Sequence, residues 1–98
     1  MTWKFDQAPN VVCITCRSVI DGSPVLVVTH YEDDHSWCFL DGQAHDLSEG
    51  LVVAMSTVIE AHPDLDDIAH LPAGWTATRA AADQPWTKQQ DFWEPGDA

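Results

Sequence analysis

Val25-Leu26-Val27-Val28-Thr29-His30 and Trp37-Cys38-Phe39-Leu40, separated by the polar Tyr31-Glu32-Asp33-Asp34-His35-Ser36, decide how this chain is read. Both apolar runs are rich in β-branched and aromatic residues, which fit a pleated, half-buried surface. The second run alternates, so Trp37 and Phe39 share one face of a strand while Cys38 and Leu40 share the other. The first alternates little, which predicts a strand covered on both faces. The six residues between them read as a loop, and Asp41-Gly42 closes the second strand.

Toward the N-terminus, Val11 to Cys16 (Val-Val-Cys-Ile-Thr-Cys) reads as a strand. Asp21-Gly22 is a hairpin signal that would join it to the run beginning at Val25. A two-residue turn there sets His30 opposite Cys13. Toward the C-terminus, Gln43 to Gly50 is polar, Leu51-Val52-Val53 reads as a short strand, and a helix is expected from Met55 to Ala61. Pro63 ends that helix, because the residue before a proline is pushed out of the α region. Asp64 then reads as the cap of a short second helix from Leu65 to Ala69, with Asp66 and Asp67 in its first turn. Leu71-Pro72-Ala73-Gly74 is a turn and Trp75 to Arg79 a last major strand. Asp83-Gln84-Pro85 turns the chain so that Trp86 returns toward the body. These elements predict an α+β fold, a mostly antiparallel sheet of about five strands with one main and one short helix. Residues 1–10 read as an N-terminal extension, 11–87 as the domain, and 88–98 as a loosely ordered tail.

The chain of 98 residues suits one domain, and 45% apolar residues suffice for a core without staples. Sixteen acidic residues face four basic ones, for a formal net charge of −12. Lys4, Arg17, Arg79 and Lys88 are scattered, so the basic footprint that neutralises nucleic-acid phosphates is missing. Anionic membrane surfaces are disfavoured for the same reason. Repulsion among like charges favours solubility and steers basic partners toward the chain. Met1-Thr2-Trp3-Lys4-Phe5-Asp6 lacks the apolar stretch of a signal peptide, and no window approaches the roughly 20 apolar residues of a membrane span. Three cysteines, an odd number, fit free thiols in a reducing compartment. The expectation is a cytoplasmic protein.

One combination of features goes beyond composition. An acidic turn leads into an aromatic strand (Asp33-Asp34-His35-Ser36-Trp37-Cys38-Phe39-Leu40). Val52-Val53-Ala54-Met55 leads into a helix ending at His62-Pro63-Asp64-Leu65. Leu71-Pro72-Ala73-Gly74-Trp75, Arg79 and Pro85-Trp86 follow. In order and spacing, across roughly residues 11–87, this resembles a family of small bacterial domains of unknown function, part of which is grouped with the immunity proteins of polymorphic toxin systems. Family members more often carry a polar residue where Ala54 stands and an aspartate where His62 stands. The resemblance implies an α+β fold and a bacterial cytosolic origin, and it brings no established catalytic residues.

Residues able to carry chemistry are few. Cys13-Ile14-Thr15-Cys16 has C-x-x-C spacing, and Cys38 with His30 or His35 would complete the four ligands of a zinc site. Against this, positions three apart on a strand point to opposite faces, and free cysteine is a common small core residue. Cys13 opposite His30 also suggests a nucleophile with its base, but no orienting third group accompanies them. Glu32-Asp33-Asp34 lacks the alternate ligand positions and glycine of a calcium loop and reads as a solvated turn. Among the five tryptophans, Trp37 and Trp75 lie on alternating strands and are explained by core packing. Arg79 serves either as a binding anchor or as the partner of a nearby acid.

The reading that follows is a non-enzymatic, immunity-like binding module that blocks a basic protein partner and needs no cofactor or metal. Tyr31, Asp33, Asp34, Trp37, Arg79 and Trp86 are its candidate binding residues. The alternatives are a zinc protein using Cys13, Cys16, Cys38 and a histidine, and a domain binding a small ligand in a pocket beside Trp37.

Overall fold

Strands form where the β-branched and aromatic runs lie. The computed structural model describes residues 3–33, 35–42 and 50–90. In chain order they form β1 (Val12–Thr15), α1 (Arg17–Ile20), β2 (Val27–His30), β3 (Trp37–Leu40) and β4 (Leu51–Ala54). Then come α2 (Met55–Ala61), a 3-10 helix (Pro63–Ile68), β5 (Trp75–Thr78) and β6 (Thr87–Gln90). The strands make one sheet in the order β4-β1-β3-β2-β5-β6. The fold is α+β, as the sequence predicts, but the sheet has six strands and is mixed: β1 runs parallel to β3 and the other pairings are antiparallel.

The expected hairpin at Asp21-Gly22 does not form. Arg17–Ile20 makes a single helical turn that buries Val19, with Asp21 as its C-cap and Gly22 just beyond it at φ 113°. That conformation favours glycine, so the local signal marks a helix end instead of a strand reversal. With this connection, β3 inserts between β1 and β2. Cys13 therefore faces Val53, and His30 lies between Trp37 and Trp75 instead of opposite Cys13. Thr15 Oγ1, fully buried on β1, donates to the Phe39 carbonyl at 2.7 Å and ties the parallel pair together.

The core lies between one face of the sheet and the helices. Val28, Trp37, Phe39 and Ala77 are fully buried on the sheet side, Met55, Val58, Leu65 and Ile68 on the helical side. β2 is fully covered on one face, where Val28 and His30 are buried, and partly on the other, where Val27 and Thr29 are half-buried. On the opposite face of the sheet Val12, Ile14 and Val52 are exposed. Trp37 and Phe39 both point into the core, as their alternation predicts, and lie parallel with centroids 6.0 Å apart.

Packing and strand pairing extend beyond residues 11–87 on both sides. Phe5, within the stretch read as an extension, is buried and packs edge-on to Trp37 at 4.9 Å and to Phe39 at 6.2 Å. The stretch read as a loose tail begins with β6, an exposed edge strand paired to β5; residues 91–98 lie outside the described part. The strand at 51–53 and the helix at 55–61 form where expected, the strand running one residue further. Ala54 offers α2 no side-chain cap, and the carbonyls of Val11 and Pro9 accept from the amides of Met55 and Ser56 instead. The next helix starts earlier than expected. His62 is its N-cap and Pro63 takes the first turn, where a missing N–H is harmless. Asp64 therefore lies inside that turn and pairs with Arg79.

Phe39→Ala is expected to cost about 3–5 kcal/mol, since it empties the centre of the core. A urea midpoint close to that of the parent chain would contradict this packing.

Candidate functional site

His30 ends β2 on its buried side, held between Trp37 and Trp75 on the neighbouring strands. Its ring stacks on Trp37 with centroids 4.0 Å apart and planes 13° from parallel. The turn before β5 fixes its other edge. His30 Nδ1 lies 2.8 Å from the Leu71 carbonyl, and the Gly74 amide donates to the His30 carbonyl at 2.7 Å. Gly74 has φ 85°, and a Cβ there would meet the Glu32 carboxylate at 3.3 Å, so this close turn needs glycine. A carbonyl only accepts, so Nδ1 carries the ring proton in that bond. In the neutral ring, Nε2 then presents a lone pair.

Nε2 faces Asp6. The Asp6 Oδ2 atom lies 3.1 Å away, yet Nε2 is buried and forms no hydrogen bond. The other carboxylate oxygen, Oδ1, accepts the Trp37 indole N–H at 2.9 Å. Asp6 is thus aimed by the tryptophan on which His30 stacks. His35 completes the group from the β2–β3 loop: the Asp6, His30 and His35 side chains each offer one donor atom, all within 4.8 Å of one another. His35 has φ 61°, a left-handed conformation in which histidine is tolerated but strained, and its carbonyl accepts from Gln7 Nε2. These three residues open onto a pocket of about 300 Å³ whose far wall is Ala69, His70, Leu71, Pro72 and Ala73.

The residues singled out in the sequence separate. Tyr31 and Asp33 lie on the β2–β3 loop beside His35, where the Tyr31 amide closes the loop onto the Ser36 carbonyl at 2.9 Å. Asp34 is outside the described residues. Trp37 is fully buried, so it acts on the pocket through its N–H to Asp6 and its face to His30. Arg79 and Trp86 lie apart from the pocket lining, with the guanidinium 4.2 Å over the indole. The other donors of Arg79 go to the carbonyls of Val25 and Ala82 and to Asp64, so it has the acidic partner that the sequence offered as one alternative.

The cysteines do not converge. Cys13 enters the core, Cys16 caps α1 with its thiol 3.3 Å from the Ser18 hydroxyl, and Cys38 pairs in register with the exposed Ile14 on the far face. Among the described residues the one ligand-like cluster is Asp6, His30 and His35. Sequence reasoning did not select Asp6, and it weighed the two histidines only alongside cysteines. The available signal was the His30-x4-His35 spacing across a tight loop, within the range of paired metal-binding histidines.

No protein-family model, curated protein or solved structure matches the chain.

Burial pushes the Cys13 thiol up from 9.0 to about 12, helped by the nearby Cys38, and raises Cys38 as well against a side-chain hydrogen bond from Tyr31. Thiolate formation at Cys13 and Cys38 is thereby suppressed in the folded chain. Between pH 9.0 and about 12 the unfolded chain has released a Cys13 proton that the native chain keeps. Stability from this group is complete below that window and falls as pH rises through it. Urea unfolding at a series of alkaline pH values is expected to show the decline, and Cys13→Ala to flatten it; equal slopes would refute the assignment. His35→Gly is expected to raise stability by about 1 kcal/mol by relieving the left-handed residue. A loss measured by the same method would mean that the loop conformation is unstrained.

Proposed function

We propose that this chain is a non-enzymatic binding module that takes a cationic ligand in the pocket formed by Asp6, His30 and His35. One observation carries the reading: the buried Nε2 of His30 makes no hydrogen bond and faces the Asp6 carboxylate at 3.1 Å. With the ring neutral and its proton on Nδ1, two acceptors face each other there, which is unfavourable until a positive charge or a donor comes between them, whether a proton on Nε2 or a bound cation. Such an arrangement costs folding free energy, and sites that give up stability for binding are a recurring pattern. The net charge of −12 raises the local concentration of cations and works in the same direction.

A second reading has its own support. The same charge would steer a basic protein partner, and the resemblance to immunity-protein domains fits a chain that occludes such a partner. Tyr31 and Asp33, exposed on the loop that carries His35, would then be candidate contacts for that partner. The two readings share a preference for positive charge. No helix among the described residues is long and apolar enough to cross a membrane, which is compatible with either.

Trp37 reports on the pocket because it touches both His30 and Asp6. Tryptophan emission is expected to change on titration with agmatine, an organic cation, or with zinc chloride, and to stay constant with benzoate at equal ionic strength. Anion binding as tight as cation binding, or silence with both cations, would overturn the proposal.

A further inference from the structure

The donor atoms in the pocket suggest a narrower ligand class than positive charge alone. We propose that Asp6 Oδ2, His30 Nε2 and His35 bind one first-row divalent transition-metal ion, with zinc the first choice, and leave at least one coordination position open to the pocket. This inference rests on the cation-binding reading and names the cation.

Three independent features of the site support it. The first is the state of His30. Metal-bound histidines commonly donate one ring N–H to a carbonyl or carboxylate, which fixes the tautomer and aims the other nitrogen at the ion. His30 has this arrangement, with Nδ1 on the Leu71 carbonyl and Nε2 buried without a partner. The second is the supporting hydrogen bond on the carboxylate: the Trp37 indole holds Oδ1, so that Oδ2 faces His30. The third is spacing. Two ligands bound tetrahedrally to zinc at normal lengths sit about 3.3 Å apart. The Asp6–His30 separation of 3.1 Å already matches that. The donor atoms of the whole group fall within 4.8 Å, so His35, exposed on its loop, needs a side-chain rotation of roughly an ångström or more to close the set.

Two imidazole nitrogens and one carboxylate disfavour calcium and magnesium, which take oxygen ligands, and suit zinc, cobalt and nickel. Three protein ligands do not fill a tetrahedral shell. The open position faces the pocket walled by His70, Leu71, Pro72 and Ala73, where water or a small donor ligand fits. The ion would join three separate pieces of chain: the N-terminal segment through Asp6, β2 through His30 and the β2–β3 loop through His35.

Untagged protein, freed of metal by chelator and dialysed, is to be titrated calorimetrically with zinc chloride, and separately with magnesium and calcium chloride. One equivalent of zinc and no comparable binding of the other two is expected. His30 is buried in the core, so variants at the two exposed ligands carry the test. Asp6→Asn and His35→Gln are each expected to weaken zinc binding about tenfold or more while unfolding cooperatively in urea. Cobalt(II) substitution is expected to give visible d–d bands without the strong near-ultraviolet band of thiolate ligation. Absence of stoichiometric zinc, a thiolate band, or zinc binding that survives both variants but is lost in Cys13→Ser would overturn the proposal. If agmatine still changes Trp37 emission while zinc does not bind, the metal inference fails and the cation-binding reading stands.

Discussion

Trp37 stands where the core and the pocket meet. Its side chain is fully buried at the centre of the sheet, with Phe5 edge-on to it and Phe39 parallel beside it on the same strand. Its other contacts reach the pocket: one face stacks on His30 and its N–H holds Asp6. The burial that stabilises the sheet therefore also sets the position of two members of the Asp6–His30–His35 group. A loosened core would loosen the site, because Trp37 contacts both His30 and Asp6.

The pocket is assembled from parts that are unlike in rigidity. His30 belongs to a strand with ladders on both sides, whereas Asp6 lies in an irregular segment anchored by Phe5 and His35 on a loop with a left-handed backbone. Elements with fewer backbone bonds sit at the low end of local stability. A ligand that bridges all three would gain from the rigid strand and order the two softer segments. Binding of that kind stabilises the folded chain by mass action.

Charge and thiol chemistry divide along the same lines. Arg79, one of four basic residues, is spent on a structural junction with Asp64, two carbonyls and Trp86. It pairs with one exposed acid, Asp64, and leaves the surrounding field negative. The three cysteines are buried and free, and Cys13 and Cys38 are held in the protonated form by burial. Reactive sulfur is thus withdrawn from the surface, and nitrogen and oxygen donors line the pocket.

Local pattern determined a good deal. The alternation in Trp37–Leu40 gave the strand and its inward face, Leu51 to Ala61 the strand-then-helix succession, Pro63 the break, and the acid count the charge. Tertiary structure decided which strands are neighbours, because pairing depends on where the connections cross and not on the strands' own residues. Asp21-Gly22 is compatible both with a hairpin and with a helix end, and burial of Val19 selected the latter. That choice put β3 between β1 and β2 and moved His30 away from Cys13. The meeting of Asp6, His30 and His35 was legible only as a short histidine spacing. Its third member comes from 24 residues before His30, brought in by the packing of Phe5 on Trp37, a contact that no periodicity encodes.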